Sequence, residues 1–124
     1  MSKTALKFIA DTLEDLGIDY EFGYWSTYPV PDPYFVGEYS EPESLTKEED
    51  GYQEIDFILT GTSRERILLE NVKEKIEKNI SKTAILPNGN GIAVFYAGYL
   101  TIPTGDAELK RIQINLTVKE WSVI

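Results

Sequence analysis

A chain of 124 residues with 42% hydrophobic and 27% charged side chains has the make-up of an ordinary globular domain, long enough to bury a core without staples. It has no Cys and no His, which excludes disulfides and thiolate metal sites and removes the commonest general base and metal ligand. A formal net charge of −9 argues against a sequence-specific nucleic-acid reader and against binding to an anionic membrane surface.

The chain opens on a helix pattern. Leu6, Ile9, Leu13 and Leu16 recur along one face, with Ala5 and Phe8 beside them, which predicts a helix over 3–16. Ser2 suits its N-cap and Gly17 its C′ position. Lys3 and Lys7 resemble the start of a secretory leader, but Asp11, Glu14 and Asp15 follow too soon for its apolar core. No run approaches the ~20 apolar residues of a membrane span. The expected location is therefore the cytoplasm.

Residues 18–25 read as a strand with Tyr20, Phe22 and Tyr24 on one face. Pro29, Pro31 and Pro33 then make 26–33 a proline-rich loop, because no strand ladder survives three prolines so close together. A short second strand is expected over 34–39. The stretch 40–51, SEPESLTKEEDG, is dominated by acids and reads as a solvated acidic loop. Its Glu48, Glu49 and Asp50 do not alternate as a calcium loop requires.

A strand over 52–60 leads through Gly61 into a second helix, with body 67–79 and an apolar stripe of Leu69, Val72, Ile76 and Ile80. Thr62 and Glu65 have capping-box spacing, so Thr62 is the expected N-cap. Glu70 with Lys73, and Glu74 with Lys78, are expected to pair on its exposed side. Last comes a long hairpin. Its first strand, 92–102, is apolar on both faces, with Ala93, Phe95, Ala97 and Tyr99 expected together on the back. Its second strand alternates cleanly, Ile112, Ile114, Leu116 and Val118 against Gln113, Asn115, Thr117 and Lys119.

The order α-β-(β)-β-α-β-β predicts an α+β fold in one domain, 1–124. Two helices would pack on one face of a mostly antiparallel sheet of four to five strands.

No catalytic pattern emerges. Gly61-Thr62-Ser63 lacks a P-loop lysine, and Gly89-Asn90-Gly91 precedes a strand rather than following one. Nothing places two of the many carboxylates in one apolar cleft. Catalytic, cofactor and metal sites are all expected to be absent. The aromatic residues are more telling, since side chains with an apolar body and a polar tip are favoured at protein interfaces. With the two-sided apolar strand and the acidic loop, they nominate a subunit or partner interface: Phe95, Tyr99, Tyr24, Trp25, Tyr34, Phe35, Glu48, Glu49 and Asp50.

The whole pattern resembles the phage tail-terminator proteins, also called tail-completion or tail-to-head joining proteins, of siphophages and prophages. The resemblance spans nearly the full length. It is carried by the N-terminal helix (4–16), the aromatic strand and irregular segment (20–39), the strand-to-helix passage ILTGTSRER (58–66) and the closing hairpin (91–121). It implies a structural, non-enzymatic virion protein that forms a ring, typically of six subunits. Such a ring docks on the tail tube protein, ends tube growth and offers a surface to the head connector protein. It would be made in the host cytoplasm and end in the virion tail. A second expectation, from the charge and the compact aromatic-rich domain, is an acidic inhibitor or immunity-type binding protein, including a mimic of DNA.

Overall fold

The computed structural model describes residues 1–41 and 52–122. Helix α1 (Lys3–Asp15) leads to strands β1 (Tyr20–Phe22), β2 (Tyr34–Ser40) and β3 (Tyr52–Ser63). Helix α2 (Arg66–Asn79) and strands β4 (Lys82–Ile85), β5 (Gly91–Ile102) and β6 (Lys110–Trp121) follow. The strands form one six-stranded sheet in the order β1-β2-β3-β6-β5-β4.

Among the described residues the fold is α+β with two helices, as expected, but the sheet is larger and mixed. Strand β1 is shorter than the predicted 18–25 and pairs parallel to β2, Tyr20 opposite Phe35. Every other pairing is antiparallel. Strand β4 falls in a stretch that no element was assigned to. It pairs with Gly91–Val94 of β5 and forms the far edge.

Residue patterns explain the layers. In β6 the four alternating aliphatics are buried, and the intervening Gln113, Asn115, Thr117 and Lys119 are half-buried on the other face. Ala5, Ile9 and Leu13 of α1 and Leu69 and Ile76 of α2 join the aliphatic face of the sheet in a single core. Each such side chain contributes roughly 1.5–3 kcal/mol by leaving water. Both helices therefore lie on one face, and the opposite face, called outer below, has no helix on it among the described residues.

The first helix is capped as its sequence requires. Ser2 Oγ accepts from the Ala5 amide at 3.1 Å, and Gly17 takes a φ of 77° after the last turn. The second helix is not. Strand β3 runs on to Ser63, because its ladder with β6 continues unbroken to Lys110. Thr62 is thus a buried strand residue whose hydroxyl accepts from Arg111 Nε at 3.2 Å. Glu65 occupies the N-cap without a side-chain bond, and Ser63 Oγ accepts from the Glu65 amide at 3.0 Å instead. On the exposed side of α2 the ion pair that forms is Lys73 with Glu77, at 3.4 Å.

Candidate interaction surfaces

The back of β5 departs from the expected alternation. Between Tyr96 and Gly98 the pairing with β6 slips by one residue, so Ala97 is an extra residue in the strand. Gly98 has a φ of 122°, backbone that side-chain-bearing residues rarely adopt, and it makes the bulge possible. Before the bulge, Phe95 stands opposite Thr117 on the outer face. After it, Tyr99 stands opposite Ile114, which faces the core.

Phe95 and Tyr99, expected side by side, are therefore on opposite faces. Tyr99 lies against α2. Its hydroxyl reaches Glu70 Oε1 at 3.4 Å, and Lys73 Nζ sits 4.7 Å from its ring centre. Leu100 and Ile102 take its place on the outer face, opposite Gln113 and Arg111. The signal for this was present in the sequence: a glycine inside a strand often marks a bulge.

Phe95 is 42% exposed and Leu100 47% exposed. Both belong to a stretch of strand whose second edge is open. Strand β4 covers only Gly91–Val94, so nothing among the described residues pairs with that edge of β5 from Phe95 to Ile102. Exposed edges are usually guarded by charges, proline or a bulge. Here the bulge is the one guard, since Phe95–Ile102 reads FYAGYLTI, without charge or proline.

The other aromatic candidates gather at the opposite edge. Trp25 and Tyr34 stack at a tilt with ring centres 5.5 Å apart, and the Trp25 indole donates to the Thr27 carbonyl at 2.6 Å. Tyr24 is 74% exposed. Phe35 is not available to a partner: it is wholly buried, its ring packed on Gly61 of the neighbouring strand. Its outward neighbours Tyr34 and Val36 are the half-buried ones, so strand alternation separates residues that adjoin in sequence. Glu48, Glu49 and Asp50 lie outside the described residues.

Beside Trp25 a cavity of ≈ 480 Å³ opens between α1, β1 and the proline-rich loop. Its walls include Ala10, Glu14, Asp19, Tyr20, Trp25 and Pro29. Burial pushes the Tyr20 hydroxyl up to about 12. Glu21, also on the wall, accepts from the Ser26 hydroxyl and amide and from the Thr27 amide. The Ser26 hydroxyl bond comes first among the causes that hold its carboxyl below the usual value. Glu14 and Asp19 carboxylates accept no hydrogen bond among the described residues.

Charge is distributed unevenly about these two edges. Residues 11–41, which supply most of the β1 side, hold eight Asp or Glu and no Lys or Arg. Residues 64–85, which supply α2 and β4, hold six Lys or Arg against four Asp or Glu. The acidic character is therefore not confined to the 40–51 loop.

One buried acid serves the fold. Glu120 accepts from the Ser2 amide at 3.0 Å, the Ser2 hydroxyl at 2.6 Å and Asn90 Nδ2 at 2.9 Å. Burial pushes its carboxyl up, but these bonds and the nearby N-terminal amine outweigh burial and hold it below the usual value. It clasps the start of α1 to the end of β6.

Compared with known proteins, the chain matches no protein-family model and no curated sequence. No helix among the described residues is long and apolar enough to cross a membrane.

Proposed function

We propose that this chain is a structural protein of a phage or prophage tail, a ring-forming subunit of the tail-terminator type. In this reading it does no catalysis and needs no cofactor. Its partners are copies of itself, in a ring of six if the resemblance holds, the tail tube protein and the head connector protein. It is made in the host cytoplasm and ends in the virion tail.

The observation that supports this reading best is the uncharged edge of β5, which is open among the described residues, with Phe95 and Leu100 on a sheet face that no described helix covers. A ring closes only through a heterologous contact between two different surfaces of each subunit. A second, aromatic surface at the β1 side supplies the other half of such a contact.

The test is assembly. Tube protein encoded in the same gene cluster is polymerised with and without this chain, and tube lengths are measured by electron microscopy. Shorter tubes of narrow length distribution, each ending in a cap, are expected. Tubes of unaltered length without caps would overturn the tail reading.

The acidic-inhibitor reading draws on a separate observation, the eight acids without a base between 11 and 41. It predicts a strict monomer that displaces DNA from a basic protein, and a competition assay on a labelled duplex decides it.

A further inference from the structure

An open strand edge presents unpaired backbone N–H and C=O groups, and folds that leave one in water commonly set a charged side chain in it. The described strands do so at every open edge but one. Strand β1 carries Glu21, the part of β2 beyond β1 carries Glu38, the part of β3 beyond β2 carries Glu54, and β4 carries Lys82. Among the described open edges only 95–102 of β5 has no charged residue.

Apolar side chains flank that stretch on both sides of the sheet. Phe95 and Leu100 are exposed on the outer face. On the helix face Tyr99 is exposed as well, and Ile67, one turn before the Glu70 that reaches Tyr99, is 61% exposed. The ends of the stretch are set by the fold. Strand β4 closes the edge as far as Val94, opposite Lys82, and Pro103, which has no N–H to donate, follows Ile102. The other open edges match it poorly. Strand β1 has three residues and β4 has four, and each would bring a charge against an uncharged stretch. A second copy of 95–102 matches it in length and brings none.

We propose that two copies of the chain pair through this stretch, β5 antiparallel to β5 about a two-fold axis. The axis of an antiparallel pair stands perpendicular to the sheet, so the two sheets run on as one and the helices of both copies share a face. With the ends set by β4 and Pro103, Phe95 of one copy lies opposite Ile102 of the other. The bulge makes this register consistent. Ala97 and Gly98 together take one position, as they do against β6, which puts Phe95, Leu100 and Ile102 on the outer face and Tyr99 at the axis. The pairing satisfies the backbone of the edge and covers the apolar side chains beside it. The inference does not rest on the tail reading. It describes the free chain, and a ring built through the same edge has to open this pair first.

The experiment has two arms. Light scattering over a concentration series is expected to show wild-type dimers. Leu100→Lys changes an exposed side chain, and circular dichroism confirms that the protein remains folded. It should need at least about tenfold higher concentration to pair, because an ammonium group now stands in the contact near its own counterpart. The second arm uses the absence of cysteine, which makes any introduced thiol the sole one. An equimolar mixture of Phe95→Cys and Ile102→Cys proteins, mildly oxidised, should form disulfide-linked dimers, since side chains directly opposite each other in an antiparallel pair stand about 4.5–5.5 Å apart at Cβ. Either protein alone should not, because its two thiols then lie at opposite ends of the pair. A wild type that is monomeric at every concentration, a Leu100→Lys protein that associates as the wild type does, or a mixture that cross-links no better than its parts overturns the pairing. In each case the tube-length test decides the ring reading separately.

Discussion

Glu120 ties the first helix to the last strand through two hydrogen bonds accepted from Ser2, and it accepts a third from Asn90 beside the start of β5. Because its folded carboxyl is held below the ordinary glutamate value of 4.5, it stabilises the fold above that pH, and the contribution is lost as pH falls through the folded value. Glu120→Gln removes the charge and part of the accepting capacity. It is expected to cost about 1–3 kcal/mol at neutral pH. Urea denaturation from pH 7 to pH 3 should show the gap to wild type narrowing below about 4.5, the ordinary glutamate value. A gap constant with pH would mean that the clasp acts without its charge. Gly61 has an equally local role. A Cβ there would stand 2.2 Å from the Phe35 ring, which is enclosed and cannot give way. Gly61→Ala should therefore destabilise by about 1–3 kcal/mol, read from the shift in urea midpoint at unchanged slope. In the sequence this glycine looked like the end of a strand. Its actual use, as a seat for a ring on the neighbouring strand, depends on a cross-strand register that one-dimensional patterns do not contain.

At the scale of elements, legibility followed how local the causes are. Helix α1 was readable because its stripe, its Ser2 cap and its Gly17 exit are all encoded within 16 residues of each other. The start of α2 was misread because the Thr62–Glu65 spacing is local, whereas the β6 ladder that draws Thr62 into β3 comes from residues about fifty positions later. Strand β4 was missed because four residues give too short a run for a periodicity, and it exists only by pairing with β5. The parallel β1–β2 pair was hidden for a similar reason. Across the irregular connection at 23–33, no sequence pattern specifies whether the chain returns parallel or antiparallel. The β5 bulge has the most consequence for the interface. Phe95→Glu changes an exposed side chain on the outer face, and should disperse an oligomer while leaving the thermal midpoint within a few degrees of wild type. Tyr99→Glu instead places a carboxylate beside Glu70, under α2, and should lower the midpoint further whatever the assembly state. Scattering and calorimetry on the pair separate the two roles. Equal effects on both readouts would mean that the bulge does not divide them.

For the whole molecule, composition described the total charge well and its placement poorly. A net charge of −9 suggests a uniformly acidic object, yet the strand order gathers acids at one side and leaves the α2–β4 side with more bases than acids. That asymmetry appears only when the chain is laid out in its sheet order, because β1 and β4 become opposite ends while β3 and β6 become neighbours. The interface residues divided in the same way: Phe95, Tyr24, Trp25 and Tyr34 have outward-facing or partly exposed side chains, Tyr99 is 37% exposed but lies against α2 on the helix-bearing face, and Phe35 belongs to the core.

The β3–β6 ladder carries a further consequence for how the chain comes to be folded at all. It joins Tyr52 to Trp121 and Ser63 to Lys110, so the middle of this sheet is closed by the strand that comes last in its chain order. Until β6 leaves the ribosome, β3 presents one whole side to the solvent, and the apolar seats of both helices lack their centre. The core must then assemble after β6 has emerged, through contacts between distant parts of the sequence. During that interval the unguarded stretch of β5 is already exposed, and β3 still has one open edge. A nascent chain therefore meets its greatest risk of pairing with the wrong copy before it is able to pair with the right one.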